Sequence, residues 1–293
     1  MKVAAECIPC YLNQILNAME KGRFPSEKRA EVLIELLADV AALDREKTPA
    51  ENSSVILHRL VQKMGGIDPF KNAKKESNEI ALEYYPKLRK DVLESADPLK
   101  QAISFAVAGN VVDLGIFADY DLGAAISEVM AIGFKIDDYD CFSKIVARAE
   151  KILIIGDNSG EIVFDMLLAE ILVQRKLDVY YGVKDSFVLN DATHEDARQV
   201  GMDRICQVIT NGNNFLGTIP EKCCRNFIEL MTKCDLIISK GQANFESLEG
   251  TQLAGDKTFF LLKAKCKVVA EKLSVNYGEL VFARNKVRED SVT

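Results

Sequence analysis

The hydrophobic pattern of this chain changes near residue 150, and this change limits the folds that it can adopt. Before residue 150, apolar residues recur at helical spacing, which predicts helices over residues 7–20, 27–43, 53–63, 70–96, 98–118 and 122–132. After residue 150, short apolar runs predict strands over Ile152–Ile155, Asp178–Val183, Arg204–Ile209, Leu236–Ser239, Thr258–Leu262 and Leu280–Ala283. Helices are predicted between them over residues 160–175, 192–200, 220–232, 243–249 and 266–273.

Strands that alternate with helices indicate βαβ units and a mainly parallel sheet. The sequence therefore predicts an α/β protein with a helical N-terminal domain over residues 1–150 and a Rossmann-like three-layer domain over residues 151–285. Residues 286–293 are predicted to form a polar tail.

The composition is typical of a globular protein that acts on a small partner. Hydrophobic residues make up 48% of the 293 residues, which is enough for a substantial core. A formal net charge of −7 and the lack of a basic tract argue against nucleic-acid binding. The N-terminus lacks a signal-peptide pattern, and no apolar run reaches membrane-spanning length. We therefore expect a cytoplasmic protein without a membrane partner, of an oligomeric state that the sequence leaves open.

The eight cysteines are too sparse for a secreted disulfide scaffold. Cys7 and Cys10 stand out because their spacing suits a redox pair or one half of a zinc site. Two thiols that only help to pack one helix face would give the same pattern.

Polar side chains follow three of the predicted strands, at the point where each strand ends. Asp157 and Asn158 follow the first strand, Asp191 follows the second after a short loop, and Lys240 follows the fourth. The carboxyl ends of parallel strands lie at one edge of a sheet, where open α/β folds bind their ligands. Two carboxylates and an amide can hold a divalent cation, and a lysine can neutralise a phosphate. The pattern therefore predicts a phosphoryl-transfer site.

The residues after Asn158 extend this hypothesis. Ser159, Gly160 and Glu161 open a predicted helix, whose free N–H groups favour an anion. Each element also has a structural interpretation: Asp157 as a turn or helix cap, Asp191 as a helix start, and Lys240 as a solvated charge.

Three further polar residues are candidates for the same site. Asn110 and Asp113 interrupt an apolar helical segment at a spacing that places them on one face, so they meet either a polar network or the substrate cavity. Asn244 follows Lys240 closely and either contacts the substrate or belongs to a capped helix start. With only two histidines in the chain, a histidine-rich metal site and a Ser-His-Asp triad are excluded as models.

Taken together, five motifs resemble those of the metal-dependent damage-control phosphatases, long described only as a domain of unknown function. They are Cys7–Cys10, Gly109–Asp113, Gly156–Glu161, Leu189–Ala197 and Ser239–Glu246. The resemblance runs in the same order from residue 6 to about residue 282 and is greatest to the shorter microbial branch, which carries the N-terminal cysteine pair.

The resemblance implies a helical N-terminal part that covers the site of a Rossmann-like core. It implies a divalent cation, Mn, Co, Ni or Mg, held by Asp157, Asn158 and Asp191. The residues that it assigns to the phosphate and the pocket are Lys240, Asn244, Asn110 and Asp113. Family members hydrolyse phosphate esters, often sugar phosphates or damaged phosphometabolites, so a small phosphorylated metabolite is the expected partner.

The expected reaction is metal-assisted phosphoryl transfer to water. Lys240 and the N–H groups after Asn158 would neutralise the charge on the phosphate oxygens. Either a water activated by the metal or the carboxylate of Asp157 would attack phosphorus, and the scarcity of histidine bases favours the water.

Two alternatives stay open. An S-adenosylmethionine-dependent carboxyl methyltransferase also fits a Rossmann-like core, although the first strand ends in Gly156-Asp-Asn158 rather than in a glycine-rich turn. A non-catalytic protein that binds a metal or a phosphometabolite is the second alternative.

Overall fold

The computed structural model describes residues 1–111 and 122–287 of the chain. Asp113 lies outside these residues, as do residues 112–118 of the predicted fifth helix and residues 288–293 of the predicted tail.

Seven strands in the described part of the chain form one sheet, in the order β1-β7-β6-β5-β2-β3-β4. Neighbouring strands are parallel except β6 and β7, which are antiparallel. The strands are β1 Phe134–Asp137, β2 Lys151–Ile155, β3 Asp178–Val183, β4 Gln207–Thr210, β5 Leu236–Lys240, β6 Thr258–Lys263 and β7 Leu280–Arg284.

Twelve α-helices in the described residues surround this sheet. They are α1 Cys7–Lys21, α2 Ser26–Ala41, α3 Pro49–Lys63, α4 Lys71–Leu93, α5 Pro98–Val111, α6 Leu122–Ile132, α7 Tyr139–Val146, α8 Glu161–Gln174, α9 His194–Val200, α10 Arg225–Lys233, α11 Gln242–Leu248 and α12 Lys267–Leu273.

Three hydrophobic cores follow from this arrangement. Alternate residues of a strand point to opposite faces, so Ile152 and Ile154 face the core under α4–α9, whereas Leu153 and Ile155 face the core under α10–α12. A third core joins α1, α2 and α3 to loops that follow the strands, through Val188 and Leu216. The first three helices therefore lie over the carboxyl ends of the strands.

The predicted α/β fold class is confirmed, and the six predicted strands and most helices lie within a few residues of their predicted bounds. The sequence pattern predicts only helices before residue 150, whereas Phe134–Asp137 forms the edge strand β1. This strand has four residues and pairs with β7, so no local pattern marks it. The predicted strand over Arg204–Ile209 begins later, at Gln207, because residues Met202–Arg204 form a short 3-10 turn.

The proposed domain boundary at residue 150 stays a prediction. In the structure, β1 belongs to the same sheet as the later strands, and α4 and α5 pack on that sheet through α8. The helices with a core of their own are α1–α3.

The strand order reverses between β2 and β5. From β2 the chain continues to β3 and β4 on one side, and it then crosses to β5 and β6 on the other side. In open α/β sheets, the crevice at such a reversal is the usual ligand site. Asn244 ties the two strand ends together here, because its Nδ2 donates to Gly156 O at 3.2 Å and to Lys240 O at 2.7 Å.

None of the described helices combines the length and the apolar character that crossing a bilayer requires.

The sheet interior allows a direct test of this packing. Phe282 on β7 is fully buried, with its ring centroid 5.0 Å from that of Phe142 and 5.6 Å from that of Phe259. We expect Phe282→Ala to lower the free energy of unfolding by about 3–5 kcal/mol, because the cavity that it leaves cannot close fully. Urea denaturation measures this loss.

Tyr277→Ala is the matched control, since Tyr277 is 69% exposed. It should change stability by no more than about 0.5 kcal/mol. Equal losses for the two variants would contradict the assigned core.

Candidate active site

A cavity of about 240 Å³ lies where α1 and α3 cover the carboxyl ends of the strands. Asp157, Asn158 and Asp191 line this cavity, and Cys7 and Cys10 line it from α1. The three predicted metal ligands and the predicted cysteine pair are therefore on the walls of one cavity.

Backbone pairing between two loops brings the predicted ligands together. Ala192 N donates to Asp157 O at 2.8 Å, and Ser159 N donates to Asn190 O at 2.8 Å. These bonds form an isolated antiparallel bridge between Asn158 and Asp191. The loop after β2 and the loop after β3 consequently hold their side chains side by side.

Gly241 allows β5 to approach the same corner. Its φ of +77° lies in the left-handed region, and a Cβ atom at this position would collide with the carboxylate of Asp157. A glycine is required here by both the backbone conformation and the space.

The carboxylate of Asp157 is held by two amides. Its Oδ2 accepts from Asn110 Nδ2 at 3.0 Å and from Asn158 Nδ2 at 2.9 Å. Burial, followed by the negative charges of Glu161 and Asp191, raises the pKa of Asp157 to about 8. The crowding of acidic groups at this corner therefore opposes ionisation of Asp157.

Asp191 lies in a similar environment. Burial raises its pKa to about 6, although Lys184 opposes this shift with its Nζ 3.6 Å from Asp191 Oδ2. Buried carboxylates that repel each other are stabilised when a cation binds between them.

The predicted ligand set consists of oxygen donors, which hard divalent cations prefer. It contains two carboxylates, Asp157 and Asp191, and one amide, Asn158. Among the described residues, no cluster of three or more His, Cys, Asp or Glu side chains is arranged to hold a metal. A cation at this corner would therefore depend on the amide as well as on the carboxylates.

Lys240 does not line the cavity and has no exposed surface. Its Nζ donates to Glu161 Oε1 and Asp165 Oδ1, both at 2.5 Å, and to Ala106 O at 2.9 Å. Burial disfavours the charged amine, but the carboxylates of Asp165 and Glu161 raise the pKa of Lys240 above its usual value. Contact between Lys240 and a phosphate stays a prediction.

Asp165 is a site residue that the sequence analysis missed. It lies one helical turn after Glu161 on α8, and Tyr181 Oη donates to its Oδ2 at 2.7 Å. Asn110 Nδ2 donates to Glu161 Oε2 at 2.8 Å as well as to Asp157. The four-residue spacing of two acids on an apolar helix was the signal that could have found Asp165.

The predicted phosphate cradle at the start of α8 already has protein partners. Ser159 N donates to Asn190 O, and Gly160 N donates to Asn78 Oδ1 at 2.6 Å. Neither these residues nor Glu161 line the cavity. Their contact with a phosphate stays a prediction, as does that of Asn244, which also accepts from Thr218 Oγ1 at 2.8 Å.

The cavity is also lined by residues for which no role was predicted from the sequence. Lys265 and Cys266 follow β6, and Glu246 lies on α11. Burial raises the pKa of the Cys7, Cys10 and Cys266 thiols, which favours their protonated form. Lys265 and Cys266 closely follow the predicted strand Thr258–Leu262, and this position was the signal that could have found them.

Comparison with known proteins identifies the family of this chain. The family model of the damage-control phosphatase ARMT1-like domain matches residues 3–281. The chain belongs to this family. The family named from the five sequence motifs is thereby confirmed.

Several relatives match this chain along nearly its whole length. A damage-control phosphatase of Pyrococcus horikoshii is 34% identical, over 98% of this chain and 100% of its own length. An uncharacterized protein of Methanocaldococcus jannaschii is 33% identical, over 97% of this chain and 96% of its own length. The crystal structure of a DUF89 family protein from P. horikoshii matches the present fold with a TM-score of 0.90 at 34% identity, covering 98% of this chain and 100% of that one.

Replacement of the buried Lys240 in this ARMT1-like protein should have a large effect on stability. Lys240→Met should lower the free energy of unfolding by about 3–5 kcal/mol, because Glu161 and Asp165 would stay buried without their cation. Chemical denaturation at neutral pH measures this loss. The control is Lys144→Met, on the exposed side of α7, which should leave stability almost unchanged. A Lys240→Met protein as stable as the wild type would contradict a compensating role for Lys240.

Proposed function

We propose that this protein is a metal-dependent phosphatase that hydrolyses small phosphate monoesters, such as sugar phosphates or damaged phosphometabolites. Membership of the damage-control phosphatase ARMT1-like family supports a phosphatase. The observation that carries the proposal is the placement of Asp157, Asn158 and Asp191 on one cavity wall, at the reversal of strand order.

In this proposal, Asp157, Asn158 and Asp191 would hold one divalent cation, Mn, Co, Ni or Mg. The donor set fits such an ion, because all three side chains offer oxygen and the pKa values of both carboxylates are raised by their surroundings. When bound, the ion supplies a Lewis acid for the phosphate oxygens and lowers the pKa of a water molecule.

The residues of the chain orient the reacting groups. Asn110 and Asn158 fix Asp157 by donating to the same carboxylate oxygen, Oδ2. These two hydrogen bonds reduce the electron density of that oxygen, and we therefore favour water over Asp157 as the nucleophile. No histidine is among the described residues that line the cavity, so no imidazole base is assigned.

The dimensions of the cavity favour a small substrate. Its volume of about 240 Å³ lies below the roughly 300–1,000 Å³ of pockets for drug-sized ligands. Residues of α1 and α3 line the cavity, and a covered site limits competing water and strengthens electrostatic interactions inside. A small phosphorylated metabolite meets these conditions.

An assay of phosphate release tests the proposal. The wild-type protein is incubated with a panel of phosphate monoesters and with Mn, Co, Ni or Mg, after chelation of any metal that it carries. We expect metal-dependent release, and we expect Asp157→Asn and Asp191→Asn each to lower kcat/KM at least about a hundredfold, since loss of a ligand should exceed loss of an outer-shell partner. Asp91→Asn, at an exposed position of α4, is the matched control.

Absence of phosphate release with every metal and ester would overturn the hydrolase. Transfer of a labelled methyl group from S-adenosylmethionine to a carboxylate would favour the methyltransferase instead. Metal and phosphate-ester binding without turnover would favour the non-catalytic alternative.

A further inference from the structure

The charges on the cavity walls do not balance. Four carboxylates line it among the described residues, on Glu6, Asp157, Asp191 and Glu246, whereas Lys265 is the one lysine or arginine in this lining. A phosphate monoester is itself an anion, so its entry into this cavity requires positive charge that faces the substrate.

Two buried lysines near this corner, Lys240 and Lys184, already have partners. The three N–H donors of Lys240 are matched by Glu161, Asp165 and Ala106 O, so none is left for a phosphate. Lys184 donates to Gly217 O and pairs with Asp191. Both lysines are buried and neither lines the cavity.

The helix start after β2 is engaged as well. Ser159 N and Gly160 N donate to Asn190 O and Asn78 Oδ1, and both residues lie outside the cavity lining. An anion that bound these two N–H groups would have to displace protein acceptors that fit them.

Lys265 differs from these groups because it is exposed, lines the cavity and has a side-chain amine without a protein partner among the described residues. It follows β6, the strand beside β5, it is exposed, and it lines the cavity together with Asp157 and Asn158. Among the described residues, its Nζ has no ion-pair or hydrogen-bond partner. Its charge acts on the predicted metal corner, because Lys265 counteracts the rise in the pKa of Asp157 that burial, Glu161 and Asp191 cause.

We propose that Lys265 binds the phosphate group of the substrate, and that Lys240 is a positioning residue that holds Glu161 and Asp165. This assignment rests on the proposed phosphatase function. A lysine ammonium forms charge-assisted hydrogen bonds with phosphate oxygens, and its flexible stem lets it follow a substrate into the cavity.

The test compares Lys265→Met and Lys265→Arg with the control Lys267→Met. Lys267 is exposed, lies two residues further on at the start of α12, and does not line the cavity. Binding of inorganic phosphate to the Mn-loaded proteins is measured by calorimetry, and KM and kcat are measured with p-nitrophenyl phosphate. Melting temperatures verify that the variants fold.

We expect Lys265→Met to weaken phosphate binding about tenfold or more, since one charge-assisted hydrogen bond is lost from a site that keeps its metal ligands. Lys265→Met should raise KM by a similar factor, Lys265→Arg should recover part of the loss, and Lys267→Met should behave as the wild type. A merely structural role of Lys265 would lower the melting temperature without this selective loss of phosphate affinity.

The two proposals fail differently. Phosphate binding that depends on Lys265, in a protein without turnover, would support this assignment and overturn the phosphatase. Turnover with unchanged phosphate affinity and KM in Lys265→Met would overturn the assignment alone. A wild-type protein that neither binds inorganic phosphate nor releases phosphate from any ester of the panel would overturn both.

Discussion

The buried ion pairs of Lys240 with Glu161 and Asp165 are the constraint on which the rest of the site depends. Lys240 ends β5, and the two acids lie on the first turns of α8, which follows β2. Charges that are removed from water are tolerated only when they are paired and hydrogen-bonded. The pairing therefore fixes the end of β5 against the start of α8, at the reversal of strand order where Asp157 and Gly241 meet.

In this arrangement, the charges of the buried lysines beneath the cavity differ in their compensation from those of the carboxylates that line it. Beneath the cavity, Lys240 and Lys184 are compensated by buried carboxylates and backbone carbonyls. On the cavity walls, Lys184 compensates Asp191, but Asp157 has no lysine or arginine ion-pair partner among the described residues, and burial followed by the charges of Glu161 and Asp191 raises its pKa. A surface of this kind favours a cation, and an anionic substrate would need positive charge that faces the cavity.

Much of the site could be predicted from the sequence because strand ends are local features. Asp157, Asn158 and Asp191 follow apolar runs that the sequence marks clearly, and the parallel sheet brings them together. The direction of the Lys240 side chain was not predicted. The sequence does indicate it, because alternate residues of a strand point to opposite faces of the sheet. Lys240 shares a face with Leu236 and Ile238, and that face packs against α5 and α8 rather than facing the strand-end cavity.

Other features depend on contacts between distant parts of the chain, which no local pattern contains. The α1–α3 cover reaches the strand-end loops through Val188 and Leu216, and β1 pairs with β7 nearly 150 residues later. The occupation of Gly160 N by Asn78 is likewise a tertiary contact. A helix start that looks like an anion site in sequence can therefore be satisfied internally.

The most direct measurement of the central claim is a crystal structure with Mn and inorganic phosphate, with data collected at the Mn absorption edge. The account predicts an anomalous peak among the oxygens of Asp157, Asn158 and Asp191, with Lys240 Nζ still bound to Glu161 and Asp165. A peak at the Cys7, Cys10 and Cys266 thiols, or a Lys240 side chain that has turned onto the phosphate, would contradict it.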